Sequence, residues 1–368
     1  MKKRRIGIIT TGVGLVAFGV WLILIHFRLV SWHSLSYLGP LLIIGFGVEI
    51  LLTRLDRHSG ERSHYSGFAI FFMVAVAVVS LSSYGVHSVQ RFVSQGISFE
   101  PSYLVSVHGK MPQNQINRID VEVNTGDVTV EGYDGTSVTY DGALRIAAAS
   151  QSDAAQKLHN QWKVYTDGST LILKQSLQTL SLNNFNATNR AHLDLKIPHS
   201  LISQIDTRNG NITIQNMSAA SEARTWNGGL TFTNITGTVT GHTTNGFCHA
   251  SHIAGETSLG TTNGQVEITD INGKLTATTT NGSVNINSAV SGDWQVDTTN
   301  GSVDLTVPQP TNATIHAKTT IGSIGGSANW QFSSGAHHHA SVQFGAGTYD
   351  IQVQTTLGSV TVTTNQAA

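Results

Sequence analysis

Between residues 205 and 307 one short phrase returns at a fixed interval, and nothing else in the chain constrains the fold as much. It begins as Asp206-Thr207-Arg208-Asn209-Gly210. It recurs as Thr225-Trp226-Asn227-Gly228, Thr243-Thr244-Asn245-Gly246, Thr261-Thr262-Asn263-Gly264, Thr279-Thr280-Asn281-Gly282 and Thr298-Thr299-Asn300-Gly301. From glycine to glycine the spacings are 18, 18, 18, 18 and 19 residues. A second turn-forming glycine falls halfway, at Gly237, Gly255, Gly273 and Gly292. A period near twenty marks a solenoid, whose repeats bury their apolar sides only by stacking on one another.

Counting from the repeat glycine as zero sorts the coil into columns. Position +2 holds Ile212, Leu230, Cys248, Val266, Val284 and Val303, and position +4 holds Ile214, Phe232, Ala250, Ile268, Ile286 and Leu305. Met217, Ile235, Ile253 and Ile271 share +7. In the second half Val239 and Leu275 stand at +11, Ala223, Leu259 and Ala277 at +13, and Trp294 and Val296 fill these roles after the insertion. Positions +3 and +5 are mostly Thr, Asn, Glu, Asp or Ser. Such alternation predicts two short strands per coil with every second side chain facing a shared interior. Asn-Gly is also a strong hairpin signal, but a hairpin meander has no reason to restore one register every 18 residues.

Stacked coils bring identical positions ~4.8 Å apart. Asn209, Asn227, Asn245, Asn263, Asn281 and Asn300 would then form one amide ladder. Gly210, Gly228, Gly246, Gly264, Gly282 and Gly301 would supply the positive φ of a tight corner. These twelve positions read as scaffold, leaving recognition to the outward positions +3, +6, +14 and +16.

The first ninety residues are of another kind. Met1-Lys2-Lys3-Arg4-Arg5 precedes an apolar run over 6–27 without a formal charge, and two more apolar runs follow at 35–53 and 67–86. Each is long enough for a membrane helix, and no small-residue cleavage pattern follows the first. Lys2, Lys3, Arg4 and Arg5 with Arg54, Arg57 and Arg62 outnumber Arg28 and Arg91 on the opposite side, which orients the N-terminus to the cytoplasm. Three crossings place everything after residue 90 outside. Glu49 is an acidic residue within a span, near the cytoplasmic interface and five residues from Arg54. Pairing with an arginine or a headgroup accounts for it, and contact with a partner is the sharper alternative.

The expected organisation is a transmembrane module over 1–90, a linker over 91–102, an N-terminal β part over 103–198 and β-solenoid repeats over 199–365. The strands Ile119–Val123, Val128–Val130, Val138–Tyr140 and Leu171–Leu173 are expected in the β part, with a helix near 153–162 led by Ser152 and Asp153. Residues 176–190, rich in Asn and Ser, read as a loop.

The alternating opening strands, Ile197-Pro198, the Thr-x-Asn-Gly coils and the closing Gly345–Val360 stretch resemble a bacterial envelope family labelled "putative adhesin". The resemblance spans roughly 103–363 and implies a single-stranded β-helix without a catalytic signature. Tyr37-Leu38-Gly39-Pro40-Leu41-Leu42-Ile43-Ile44-Gly45-Phe46-Gly47 resembles the membrane module of Lia-type envelope-stress proteins, which carry Trp-Pro where this chain has Gly39-Pro40.

Composition and placement test the sharper chemistries. Only 12% of residues are charged and the net charge is −1, which argues against nucleic acid as a partner. Cys248 is the single cysteine, so no intramolecular disulfide is possible, and its register points inward, where it acts as a small hydrophobe. No cofactor is implied. The acids Glu256, Glu267, Asp270, Asp293, Asp297 and Asp304 share no centre, which argues against a glycan-cleaving enzyme. His249 with Glu267 at +3 and His252 with Asp270 at +6 read as two cross-coil pairs, ~10 Å apart and too far for one metal. In His337-His338-His339 only the outer two would share a face of a strand, which suits a surface role. A flat Thr-x-Thr plane of the kind that meets ice or glycan is confined to Thr278 and Thr280. The expectation is a non-enzymatic, membrane-anchored binding module of the cell envelope, facing wall glycan or another envelope protein. The alternatives are a carbohydrate-active enzyme and a rigid assembly platform.

Overall fold

The computed structural model describes residues 101–176, 191–333 and 338–366, together with 5–6, 20, 64–65, 97–98 and 180–181. The chain divides into two compact units, Met1–Ser98 and Phe99–Ala368. In the first, Arg5–Ile6 pairs in parallel with His64–Tyr65. The spans expected over 6–27, 35–53 and 67–86, with Glu49, otherwise lie outside the described residues. Among the described residues, no helix is long and apolar enough to cross a membrane. The expected loop over 176–190 and His337 lie largely or wholly outside them too.

The second unit is an all-β solenoid with one helix among its described residues. Each coil contributes one strand to a 13-stranded sheet and one to a 12-stranded sheet, and the core lies between them. In the first sheet Ile202–Asn209, Ser221–Asn227, Val239–Asn245, Thr257–Asn263, Leu275–Asn281 and Trp294–Asn300 follow one another, all parallel. In the second, Ile212–Met217, Leu230–Ile235, Cys248–Ile253, Val266–Ile271, Val284–Asn287 and Val303–Gln309 do the same. Registers are constant, so like meets like: Ile212 pairs with Leu230, Leu230 with Cys248 and Cys248 with Val266.

The columns at +2, +4, +7, +11 and +13 named above are all buried. Their sizes compensate from coil to coil. Phe232 lies against Gly241, where a Cβ would come within 2.8 Å of both Phe232 Cε2 and Leu259 Cδ2. The large ring therefore needs a residue without a side chain on the next coil. Trp294, fully buried in the coil with the extra residue, donates from Nε1 to the Gly273 carbonyl at 3.2 Å. Burial also pushes the Cys248 thiol up to about 12, so it packs as a small apolar group.

The corner chemistry differs from the expectation in one respect. Asn227, Asn245, Asn263, Asn281 and Asn300 each donate from Nδ2 to Oδ1 of the preceding asparagine at 2.8 Å, starting on Asn209. The glycines beside them are needed for a different reason than positive φ. A Cβ on Gly228, Gly246, Gly264, Gly282 or Gly301 would overlap the carbonyl oxygen of the preceding repeat glycine, and one on Gly210 that of Gly126. Close approach of backbone to backbone selects glycine here. Left-handed backbone occurs instead at +6, in Asn216, Asn234, His252 and Asp270, with φ of 60°, 56°, 57° and 55°.

Thr207, Thr225, Thr243, Thr261, Thr279 and Thr298 are buried. From Thr225 onward each hydroxyl donates to the repeat-glycine carbonyl of the coil below, at 2.8–3.1 Å. The threonine column thus satisfies a corner carbonyl that a valine would leave without that partner.

At both ends spatial order departs from chain order. Arg118–Thr125 and Asp127–Tyr133 form a coil that stacks directly under Ile202–Met217. The later segments Thr170–Gln175 and His192–Pro198 lie beneath that coil. Coil stacking therefore includes residues well before 199. At the other end Tyr349–Leu357 pairs on one side with Trp294–Asn300 and on the other with Ala313–Ile321. Val360–Gln366 likewise lies between Val303–Gln309 and Ile324–Gly326. The threonine bonds follow the spatial order, with Thr355 on the Gly301 carbonyl and Thr319 on that of Gly358, both at 2.8 Å.

Antiparallel strands close each end: Ser102–Pro112 on Ser137–Ala147, Trp162–Asp167 on Thr170–Gln175, and His339–Phe344 on Ala313–Ile321. The helix runs over Gln151–Gln161 and starts two residues before the expected position. Ser150, extended at φ −152°, is its cap and accepts from Asp153 N at 3.2 Å, while Asp153 accepts from Ala149 N at 3.0 Å. Asp153 thus acts inside the first turn rather than as the leading residue.

Candidate binding face

With the interior and one corner committed to packing, the outward positions of the 13-stranded sheet are free to vary. They change character along the stack. Near the N-terminal end the face is charged, with Asp120, Glu122, Asp206, Glu222, Arg118, Lys174 and Arg224 on four adjacent strands. Lys174 pairs with Glu122, Arg224 with Glu222, and Arg118 donates to Gln204. Desolvation raises the Asp120 carboxyl above its ordinary value, helped by the charges of Glu122 and Asp206. Desolvation also raises Asp206, against a hydrogen bond from Gln204 at 3.3 Å. The sequence does not show this grouping, because 86 residues separate Arg118 from Gln204 and 52 separate Lys174 from Glu122, and only coil order joins them. Glu122 and Glu222 are held in ion pairs, which is a structural role.

In the middle the face is a field of Thr240, Thr244, Ser258, Thr262, Thr276, Thr278, Thr280 and Thr299, exposed or half-buried. Thr278 and Thr280 lie on one strand, with Gly260 and Asp297 pairing to either side of Thr278. The opposite sheet carries the two histidine–carboxylate pairs. His249 Nδ1 is 3.7 Å from Glu267 Oε2, and His252 Nε2 is 3.8 Å from Asp270 Oδ2. Position +6 proves to be a corner, so His252 and Asp270 are first of all residues in left-handed backbone. Asn216 and Asn234 fill the same place and bond amide to amide at 2.7 Å. Among the described residues no group of three or more His, Cys, Asp and Glu is arranged to hold a metal ion.

Toward the C-terminal end the face opens into a groove of about 430 Å³. Gln295 and Asp297 line it from one coil, Gln352 and Gln354 from the interleaved coil, and His316 and Lys318 from the next. Ser341, His339 and Ser333 close the far side. Strand alternation points the pairs Gln295 and Asp297, Gln352 and Gln354, His316 and Lys318, and His339 and Ser341 outward at i and i+2. Gln295 donates to Asp297 at 2.9 Å, and Gln352 donates to Asp350 at 2.9 and 3.0 Å. His316 Nε2 lies 3.6 Å from the Asp350 carboxylate. Lys318 and Gln354 have no hydrogen-bonding side-chain partner among the described residues. The groove offers amides, a carboxylate, imidazoles, hydroxyls and one ammonium on a rigid sheet, which suits a hydroxyl- and amide-rich ligand. The sequence sets Asp297 among acids that share no centre and His339 in a surface histidine cluster, and the out-of-order coil is what brings them to one groove.

Against this architecture, the Toastrack DUF4097 family matches residues 116–363, more than half of the chain. The chain belongs to the Toastrack DUF4097 family. No curated protein matches it. Three solved structures are similar to it. A "putative adhesin" from Bacteroides fragilis has 14% identity and a TM-score of 0.32, with 71% of this chain and 97% of that one covered. A "putative adhesin" from Parabacteroides distasonis has 12% identity and a TM-score of 0.28, covering 73% and 99%. A "putative cell adhesion protein" from Clostridium sporogenes has 10% identity and a TM-score of 0.26, covering 71% and 100%. The Toastrack domain of this chain thus comprises the coil stack with most of both end closures, and the groove lies inside it.

Proposed function

We propose that this Toastrack domain is a non-enzymatic binding module of the bacterial cell envelope, held outside the membrane by the three N-terminal apolar segments. The groove on the outer face carries the reading. It gathers polar side chains from three coils and a closing strand, whereas at the other end Glu122 and Glu222 are taken up in ion pairs. Its ligand is a hydroxyl- and amide-rich polymer of the envelope, a wall glycan or the surface of another envelope protein. The resemblance of residues 37–47 to Lia-type membrane modules favours a place in envelope-stress signalling. The excess of Lys and Arg flanking one side of the apolar runs favours an external solenoid.

Photocrosslinking in living cells from Gln354, in the groove, and from Thr280, on the same face, tests the reading. Adducts from Gln354 to glycan or to an envelope protein are expected. Crosslinks from both positions to one membrane protein, with no glycan, would favour an assembly platform. Release of reducing ends from wall glycans, abolished by one carboxylate substitution, would make the protein an enzyme. Solenoid repeats that resist protease on intact spheroplasts, yet are cut after lysis, would overturn the topology.

A further inference from the structure

One stretch of the corner departs from the repeat in a way that packing does not explain. In the column before the ladder asparagine, Thr244, Thr262, Thr280 and Thr299 stand in four coils, but Arg208 and Trp226 stand in the first two. In the column after the glycine, Asn211, Gly229, Gln265, Ser283 and Ser302 are small or polar, but Phe247 stands in the next coil. Trp226 is 61% exposed and Phe247 49% exposed, among the most exposed large apolar side chains described. Exposed aromatics forgo the free energy that burial of their apolar surface would contribute. Two of them on adjacent coils, flanking one edge, call for a reason other than folding.

Both rings are seated. The Arg208 guanidinium lies 5.2 Å from the Trp226 ring centroid, a cation–π contact that covers one face of the indole. The Phe247 ring lies across Gly229, where a Cβ would overlap its edge. Gly229 is itself fixed by donating to Asn211 Oδ1 at 2.8 Å. Between the aromatics run the exposed amides of Asn227 and Asn245. Each spends one N–H and one oxygen lone pair on the ladder, leaving a second N–H and lone pair to face solvent.

We infer that this edge, made of Trp226, Asn227, Asn245 and Phe247, is a saccharide-binding platform for a strand of N-acetylated hexosamines. A pyranose ring presents a face of C–H groups that lies flat on an aromatic ring, and its rim of hydroxyls and acetamido groups needs donors and acceptors alongside. The edge supplies both in alternation. A protein partner would instead be met by a contiguous apolar centre with a polar rim, and here the amides occupy the centre. Arg208 adds a positive charge beside the indole for a carboxylate-bearing substituent. The inference stands apart from the C-terminal groove and uses none of its residues.

The test is calorimetric titration of the full-length protein in detergent micelles with N-acetylglucosamine tetramer, using maltotetraose as the control sugar. Saturable binding of the acetylated tetramer only is expected, with protection of an exposed tryptophan from iodide quenching. Trp226→Ala and Phe247→Ala should each weaken binding about tenfold without shifting the melting temperature, and Gln354→Ala should leave it unchanged. The quenching protection should vanish in Trp226→Ala. Unchanged affinity in both aromatic variants, or no binding of the acetylated tetramer at millimolar concentration, would overturn the inference.

Discussion

The coils from 202 to 287 and the two ends of the solenoid are made of the same strands, yet they are assembled by different rules. In the middle each coil stacks on the one made just before it. At the ends a coil is laid between two others: 118–133 between 170–198 and 202–217, and 349–366 between 294–309 and 313–326. The middle is carried by columns of identical residues, and at the C-terminal end the threonine column continues through Thr355 and Thr319 while the asparagine column stops. Asn300 is followed in its column by Leu357 and Ile321, both exposed. In the middle the constraint is repeated side-chain chemistry, and at the ends it is long-range backbone pairing. The ends also carry the groove and the charged face, because only there do distant segments meet.

The largest effect expected from this contrast concerns glycine. Gly264→Ala in the middle places a Cβ on the Gly246 carbonyl, and Gly325→Ala at the end meets nothing within 4 Å. Urea melts should show a loss of about 3 kcal/mol or more for the first, the upper range of overpacking, and almost none for the second. Equal losses would erase the distinction. A smaller difference is expected between two buried threonines. Thr243→Val removes a hydrogen bond to the Gly228 carbonyl and should cost ~1 kcal/mol. Thr207 Oγ1, on the coil that meets the interleaved 118–133, is buried without a hydrogen-bond partner among the described residues, so Thr207→Val should be neutral or stabilising.

Within the middle, His252 holds a left-handed conformation that Asn216 and Asn234 adopt with less strain. His252→Asn should raise stability by roughly 0.5 kcal/mol, read as an increase in the urea midpoint. The smallest effect belongs to pH. Asp120 and Asp206 have folded pKa values raised above the ordinary 3.8. Their protonation therefore favours the folded state. The stability it adds is complete below 3.8 and is lost as pH rises through the raised values. Asp120→Asn should flatten the pH dependence of the melting temperature across that acid window, and an unchanged slope would remove Asp120 as its source.

Much of the site's framework was legible in the residues. The Asn ladder, the buried columns and the two His–carboxylate neighbours follow from a period of 18, because parallel stacking in register sets each residue beside its own counterpart. The repeat glycines were legible as a column but not for their cause. Only the structure shows that the carbonyl below, rather than φ, excludes a Cβ. The helix cap moved from Ser152 and Asp153 to Ser150, because a serine hydroxyl reaches the N–H three residues on.

The sequence by itself determined the coil: its length, its corners, its inward and outward faces and the bonds that tie each coil to the next. It did so because these depend on a local pattern repeated at constant register. The order of the coils at the two ends was decided by tertiary structure. Strand edges pair through backbone N–H and C=O groups that carry no residue label, so any open edge of suitable twist can accept any strand. Which segment fills the gap between 294–309 and 313–326 depends on the whole stack closing over its core. The groove of Gln295, Asp297, Gln352, Gln354, His316 and Lys318 exists only once that gap is filled.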